Sequence, residues 1–222
     1  MLSPLAAAVS LWLVPSAREC ALLQQLMSRH PEPGADYSFP HFVPHITLSS
    51  LRPTASETRD WAVRTLHEAI PLGQGPVPVY FERIAAGDDY FHSIFVALAP
   101  SSELVSLLAA LVAPRQAPAR TPYSPGFLHF SLYYIADEEA HLRARLLQEL
   151  KRDNVVRHAV DGLGVVLECG AGAGEDSTGS DPGMVDGALT GFTGTQIWTV
   201  ACEGPVERWV ILDKILLANS DS

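Results

Sequence analysis

The chain has 222 residues and a mass of 24.0 kDa, 47% hydrophobic and 18% charged, with a mean hydropathy of +0.13: enough to build a large apolar core, and too apolar for wholesale disorder. Fifteen Lys and Arg against 25 Asp and Glu leave a net charge of −10, without the basic field that long nucleic acids and anionic membranes exploit, although one local pocket can still hold a small anion. Cys20, Cys169 and Cys202 are odd in number, far apart and without CxxC spacing, which argues against a disulfide framework or a thiolate zinc site and for a reducing compartment.

Residues 1–15 are largely apolar, yet Pro4 interrupts them and the first charge is Arg18, so they lack the positive start of a secretory signal and fall short of the ~20 residues of a spanning helix. Within them, 9–15 read as a buried strand on the run Leu11, Trp12, Leu13, Val14. Ser16 to Glu19 form a capping box that opens a helix over 17–30, ended by Pro31 and Pro33-Gly34. Residues 42–48 alternate and predict a strand, and a second capping box, Thr54 to Glu57, opens a helix through about 70. Paired strands are expected over 77–86 and 91–99 around a turn at Gly87-Asp88-Asp89, then a helix over 101–113 on the spacing of Leu104, Leu107, Leu108 and Leu111. A proline-rich loop leads to a strand over 127–135, and a helix over 137–151 has acidic residues at its start and basic ones towards its end. Strands follow over 160–169, 195–202 and 208–217. The Gly-, Ser- and Asp-rich stretch 170–194 reads as a mobile surface insertion in a single domain over 1–222. The class is α+β with mixed or antiparallel sheets.

An internal repeat is the informative feature. Val43-Pro44-His45-Ile46-Thr47-Leu48 and Phe127-Leu128-His129-Phe130-Ser131-Leu132 share the pattern apolar, any, His, apolar, Thr or Ser, Leu, at a separation of 84 residues (129 − 45). Period-two alternation puts His45 and Thr47 on one strand face, and His129 with Ser131 on another. Strands brought face to face would gather two imidazoles and two hydroxyls round one cavity, a set suited to phosphoryl chemistry without a metal or cofactor. One neutral imidazole takes a proton from water, a protonated one gives a proton to the leaving oxygen, and the hydroxyls donate to phosphate oxygens. A single His-x-Thr on a strand arises often by chance, and a buried histidine is more often a core residue than a catalyst. Two such motifs in matching contexts, one in each half, point to catalysis. Elsewhere, His41 and His45 have i, i+4 spacing, but Pro44 argues against the helix a zinc pair would need. His92 reads as a strand residue, and Lys214 as a lysine that either reaches a phosphate or snorkels at the surface.

The pair Pro44-His45-Ile46-Thr47 and His129-Phe130-Ser131-Leu132 resembles the signature of the two-histidine phosphoesterase superfamily. Leu11-Trp12-Leu13-Val14-Pro15 and Glu207-Arg208-Trp209-Val210 resemble its cyclic nucleotide phosphodiesterase branch, and the resemblance spans nearly the whole chain outside 170–194. It implies a bilobal fold, two similar lobes with facing antiparallel sheets and outer helices. It also implies metal-independent hydrolysis of 2',3'-cyclic nucleotides to 2'-phosphates and of ADP-ribose 1'',2''-cyclic phosphate to the 1''-phosphate, the chemistry of tRNA splicing and RNA metabolism. On this analogy His129 activates water, His45 protonates the leaving oxygen, Thr47 and Ser131 donate to the phosphate, and Trp12 stacks on base or ribose, the alternative for Trp12 being core packing. Strict alternation aims Tyr133 at the same face, whereas the family's tyrosine stands five places after the histidine, at Tyr134, which a local bulge would favour. The implied partner is a small cyclic phosphate nucleotide, met by a monomer in the cytoplasm, with room for peripheral association with an endomembrane such as the Golgi. The other readings are an RNA-end 2',3'-cyclic or 2',5'-phosphodiesterase, and a non-catalytic nucleotide-binding protein of the same fold.

Overall fold

The structure, a computed structural model, describes residues 8–29, 39–54, 56–112, 128–160, 162–170 and 187–218. The strands are β1 (Ala8–Pro15), β2 (Ile46–Leu51), β3 (Val77–Ala86), β4 (Ile94–Pro100), β5 (His129–Tyr133), β6 (Val156–His158), β7 (Val165–Glu168), β8 (Ala188–Leu189), β9 (Gly191–Cys202) and β10 (Val210–Leu216). The helices are α1 (Ala17–Met27), α2 (Arg59–Glu68), α3 (Ser102–Val112) and α4 (His141–Arg152), with single 3-10 turns at Tyr90–His92, Asp137–Glu139 and Val206–Arg208. The class is the α+β arrangement expected, with antiparallel strands. No described helix is long and apolar enough to cross a membrane.

Seven strands form one sheet in the order β1-β2-β5-β4-β3-β9-β10, and β1 also pairs with β9, so six of them close a ring. The long β9 makes the closure: Gly191 to Gly194 pair with β3, and the rest runs between β1 and β10. The ring is thinnest between β2 and β5, which share the single bridge Ile46 to Phe130. Alternation sorts side chains onto two faces. Leu11, Leu13, Ile46, Leu48 and Phe130 join one core with the apolar stripes of the helices, among them Leu23, Leu66, Leu104 and Leu146. On the other face Trp12, Val14 and Val200 pack with Val43, Trp198 and Trp209 in a smaller cluster.

The Ser16–Glu19 box forms as expected. Glu19 N–H donates to Ser16 Oγ at 3.4 Å, Ser16 N–H donates to Glu19 Oε2 at 3.1 Å, and Thr193 N–H donates to Glu19 Oε1 at 2.9 Å, which ties α1 to β9. Several borders differ from the sequence reading. Helix α1 stops at Met27, three residues short. Thr54 N–H does donate to Glu57 at 2.8 Å, but the pair closes a separate turn, and α2 begins at Arg59 under Thr58, whose Oγ1 accepts from Trp61 N–H at 3.1 Å. The first motif strand starts at Ile46 rather than 42, because Pro44 has no N–H for a ladder. The strand expected over 160–169 is a hairpin of β6 and β7, reversed through Gly162 and Gly164 at φ of 73° and 86°. Residues 187–194 of the expected insertion are built into the sheets; a Cβ on Gly191 would stand 2.0 Å from the Val79 carbonyl oxygen, so β3 and β9 meet there only because the residue is glycine. His30, Phe127, the proline-rich loop before β5 and residues 171–186 lie outside the described residues.

Candidate active site

Ile46 and Phe130 are fully buried in the core, so the residues flanking their bridge point to the opposite face. In an antiparallel pair, the residues on either side of the Ile46–Phe130 bridge are Thr47 facing towards His129 and His45 facing towards Ser131. Continued past that bridge, the ladder brings each imidazole to the side of the hydroxyl of the other motif. The two motifs meet edge to edge on neighbouring strands, not across a cavity as the alternation argument alone supposed.

His45 sits just ahead of β2 and is 5% exposed. Its ring lies flat on Trp12, centroids 3.6 Å apart at 12°, with Phe42 edge-on at 6.1 Å, and Nδ1 donates to the Val43 carbonyl at 2.6 Å. Burial penalises the imidazolium, the Val43 carbonyl partly offsets this, and the charge of His129 adds to it; the pKa is pushed down to about 4. A neutral His45 with Nδ1 on a carbonyl carries its lone pair on Nε2, the configuration of a base. Ser131, also 5% exposed, donates to the Phe91 carbonyl at 3.4 Å and hydrogen-bonds the Tyr134 hydroxyl.

A family model described as cyclic phosphodiesterase-like protein matches residues 7–217. The chain belongs to this family. No curated protein matches it. Among solved structures it is similar to E. coli LigT complexed with NADP+, at 13% identity over 97% of this chain and 100% of that one, TM-score 0.51. It is also similar to LigT complexed with 3'-AMP, at 13% identity over 98% and 100%, TM-score 0.49. At such identity the likeness to the NADP+ complex speaks for the fold alone.

The two tyrosines separate cleanly in this member of the cyclic phosphodiesterase-like family. Tyr133 turns into the core, its hydroxyl donating to the Leu26 carbonyl at 3.0 Å at the end of α1, so it is no part of the site face. Tyr134 lies on the site side, stacked between Phe42 at 4.3 Å and Tyr90 at 5.3 Å; burial, partly offset by the bond to Ser131, pushes its pKa up to about 12 and keeps the phenol a donor. The cause is a bulge: Ser131 pairs with Phe95 but Tyr133 with Ile94, leaving Leu132 as an extra residue that flips the face beyond it.

Trp12 is 4% exposed and is the cross-strand partner of Thr47, with one ring face already covered by His45. That geometry fits a clamp on the histidine better than the base-stacking platform the family analogy implied. Lys214 pairs with Trp198, which pairs with Trp12, so it stands three strands, or about 14 Å at ~4.8 Å each, from Thr47, with its ammonium 3.9 Å above the Trp198 ring. The surface reading of Lys214 holds. Among the described residues no three His, Cys, Asp or Glu side chains form a metal-binding group.

Sequence reasoning missed the turn Tyr90–His92, taking Phe91 and His92 for the start of a strand. Tyr90 stacks on Tyr134, Phe91 lies 6.1 Å from Trp209 and lends its carbonyl to Ser131, and His92 approaches His129 to 4.8 Å between centroids. Asp89 caps the turn, and an acidic N-cap three residues before a histidine was the available signal.

Proposed function

We propose that this chain hydrolyses 2',3'-cyclic nucleotides to 2'-phosphates, and ADP-ribose 1'',2''-cyclic phosphate to the 1''-phosphate, through His45 and His129 without a metal. The observation that supports it is the square of His45, Thr47, His129 and Ser131 on one face at the β2–β5 bridge. We read the strands on either side of that bridge, β1, β2, β9 and β10 against β3, β4 and β5, as two lobes with the substrate over their junction. The net charge of −10 favours a small nucleotide over long RNA, and NADP+ bound to LigT, which shares the fold, is in keeping with that.

The depressed pKa of His45 reverses the roles suggested by family analogy. Neutral His45 takes a proton from water at Nε2 as the water oxygen bonds to phosphorus. The P–O3' bond breaks, and His129, protonated, returns a proton to O3', leaving the phosphate on O2'. Thr47, Ser131 and Tyr134 donate hydrogen bonds to the phosphoryl oxygens as charge builds there.

The test is turnover of 2',3'-cyclic AMP in excess chelator, with the product isomer read by phosphorus NMR. A 2'-phosphate is expected, with His45→Ala and His129→Ala each slower by about 10²–10⁴-fold. Undiminished activity in both variants would overturn the assignment, and turnover confined to oligonucleotide ends would replace the substrate with RNA termini.

A further inference from the structure

The Tyr90–His92 turn brings a carboxylate and an imidazole to the edge of the site. Asp89 Oδ1 accepts from the N–H groups of Phe91 and His92 at 3.0 and 3.1 Å, and the same carboxylate accepts from His92 Nδ1 at 2.7 Å. One side chain thus sets both the course of the turn and the orientation of the ring. His92 lies 4.8 Å from His129 between centroids, tilted by 57°, and both imidazoles stand edge-on to Phe95, at 6.1 and 5.6 Å. Ser93, fully buried, fastens the turn to the chain leaving β5 by accepting from Ile135 N–H at 2.9 Å.

We propose that Asp89 and His92 are positioning residues for His129: a carboxylate-backed imidazole that holds His129 in its protonated, proton-donating form. The inference rests on the reading of His129 as the acid. The His92 ring, oriented by its Nδ1 bond to Asp89, is the link between that carboxylate and His129, and the negative charge behind it favours positive charge on His129.

Among the described residues, His45 from the segment before β2 and His92 from the turn are the titratable groups seen to act on or touch His129, with Asp89 behind His92; Tyr134 from the continuation of β5 stacks on Tyr90 of the turn, and Glu207 lies near Tyr90. Burial raises the pKa of both tyrosines and lowers that of His45, so at neutral pH these three are uncharged. The Asp89 carboxyl stays below its usual range, its desolvation outweighed by the bonds and charge of His92 and by the two backbone N–H groups. Of the two anions, Asp89 is the one linked to His129 through a ring in contact with it. The site separates its imidazoles by two devices: burial under Trp12 makes His45 a base, and the Asp89–His92 pair makes His129 an acid.

The experiment is a histidine ring titration by NMR on the whole chain, for wild type, Asp89→Asn and His92→Gln, beside kcat/KM against pH for 2',3'-cyclic AMP. Asp89→Asn keeps an acceptor for the turn's N–H groups and removes the charge. The His129 midpoint is expected to fall by about 0.5–1 pH unit in both variants, and the His45 midpoint to move by less than about 0.2. The falling limb of kcat/KM follows His129 while the rising limb stays in place. An unchanged His129 midpoint overturns the proposal. So does equal movement of the two histidines, which is what a merely loosened turn would produce. The titration needs no substrate, so a protein that leaves cyclic nucleotides intact would sink the functional reading and still decide this one.

Discussion

Replacing His45 by glutamine should flatten the acid side of the protein's stability curve. The folded chain holds this imidazole at 5% exposure with a pKa of about 4, against 6.5 for a free histidine. Between those two values the unfolded chain binds a proton that the folded chain refuses, so stability falls as pH falls. The stabilisation is complete above pH 6.5 and gone below pH 4. The gap (6.5 − 4) corresponds to about 3 kcal/mol at ~1.4 kcal/mol per pH unit, of which about 2 kcal/mol is lost between pH 7 and pH 5. Urea unfolding of wild type and His45→Gln at pH 7, 6 and 5 isolates this contribution, because the remaining titrating groups are common to both proteins and cancel in the difference. The advantage of wild type over the variant should shrink by about 2 kcal/mol from pH 7 to pH 5. Parallel curves across that range would refute the idea that His45 is buried neutral, and with it the assignment of the base.

The tyrosines should divide stability from rate. Tyr133→Phe removes a buried bond to the Leu26 carbonyl and is expected to cost about 1–2 kcal/mol in urea unfolding with kcat/KM unchanged, whereas Tyr134→Phe should lower kcat/KM about tenfold at nearly constant stability; the opposite pattern would return Tyr133 to the site. Trp12→Phe leaves less ring over His45, so kcat should fall and the rising limb of the pH profile should move to higher pH, with KM within about twofold; a raised KM at unchanged kcat would restore Trp12 as a base-stacking platform. Gly191→Ala should destabilise by about 3 kcal/mol or more, since its Cβ meets backbone that cannot move aside without parting β3 from β9. An alanine variant of wild-type stability in thermal unfolding would show that this junction is not tight.

The parts of the fold that were legible in the sequence carry their signals locally. The apolar run of β1, the Ser16–Glu19 box and the leucine stripe of α3 each demand one kind of structure whatever surrounds them. The misread parts depend on partners far along the chain. Residues 187–194 have loop composition, yet Gly191 and Gly194 are there because Val79 and Leu13 press against the backbone. Phe91 and His92 alternate as a strand would, but Asp89 captures their N–H groups first. Val156 to His158 are too few to reveal a period. In the site, residue types and spacing were readable, and so was the equivalence of the two motifs. Their register was not, since a separation of 84 residues says nothing about which atoms meet.

The two bulges explain why the repeat includes a leucine. In β2 the pairing steps from Leu11–Ser49 to Trp12–Thr47 and leaves Leu48 over; in β5 it steps from Phe95–Ser131 to Ile94–Tyr133 and leaves Leu132 over. Both leucines follow the motif hydroxyl directly and both are 1% exposed in the core. An unbroken ladder would set Leu48 rather than Thr47 opposite Trp12, and would carry Tyr133 to the site. With one extra residue on each motif strand, Trp12 instead shares a face with Thr47 beside His45, and Tyr134 reaches Ser131. The same local irregularity therefore sets a motif hydroxyl beside an aromatic side chain in each half of the site: Thr47 across from Trp12, and Ser131 beside Tyr134. The shared Leu marks where the strand must leave the regular ladder, and it is as much a part of the motif's chemistry as the histidine three residues before it.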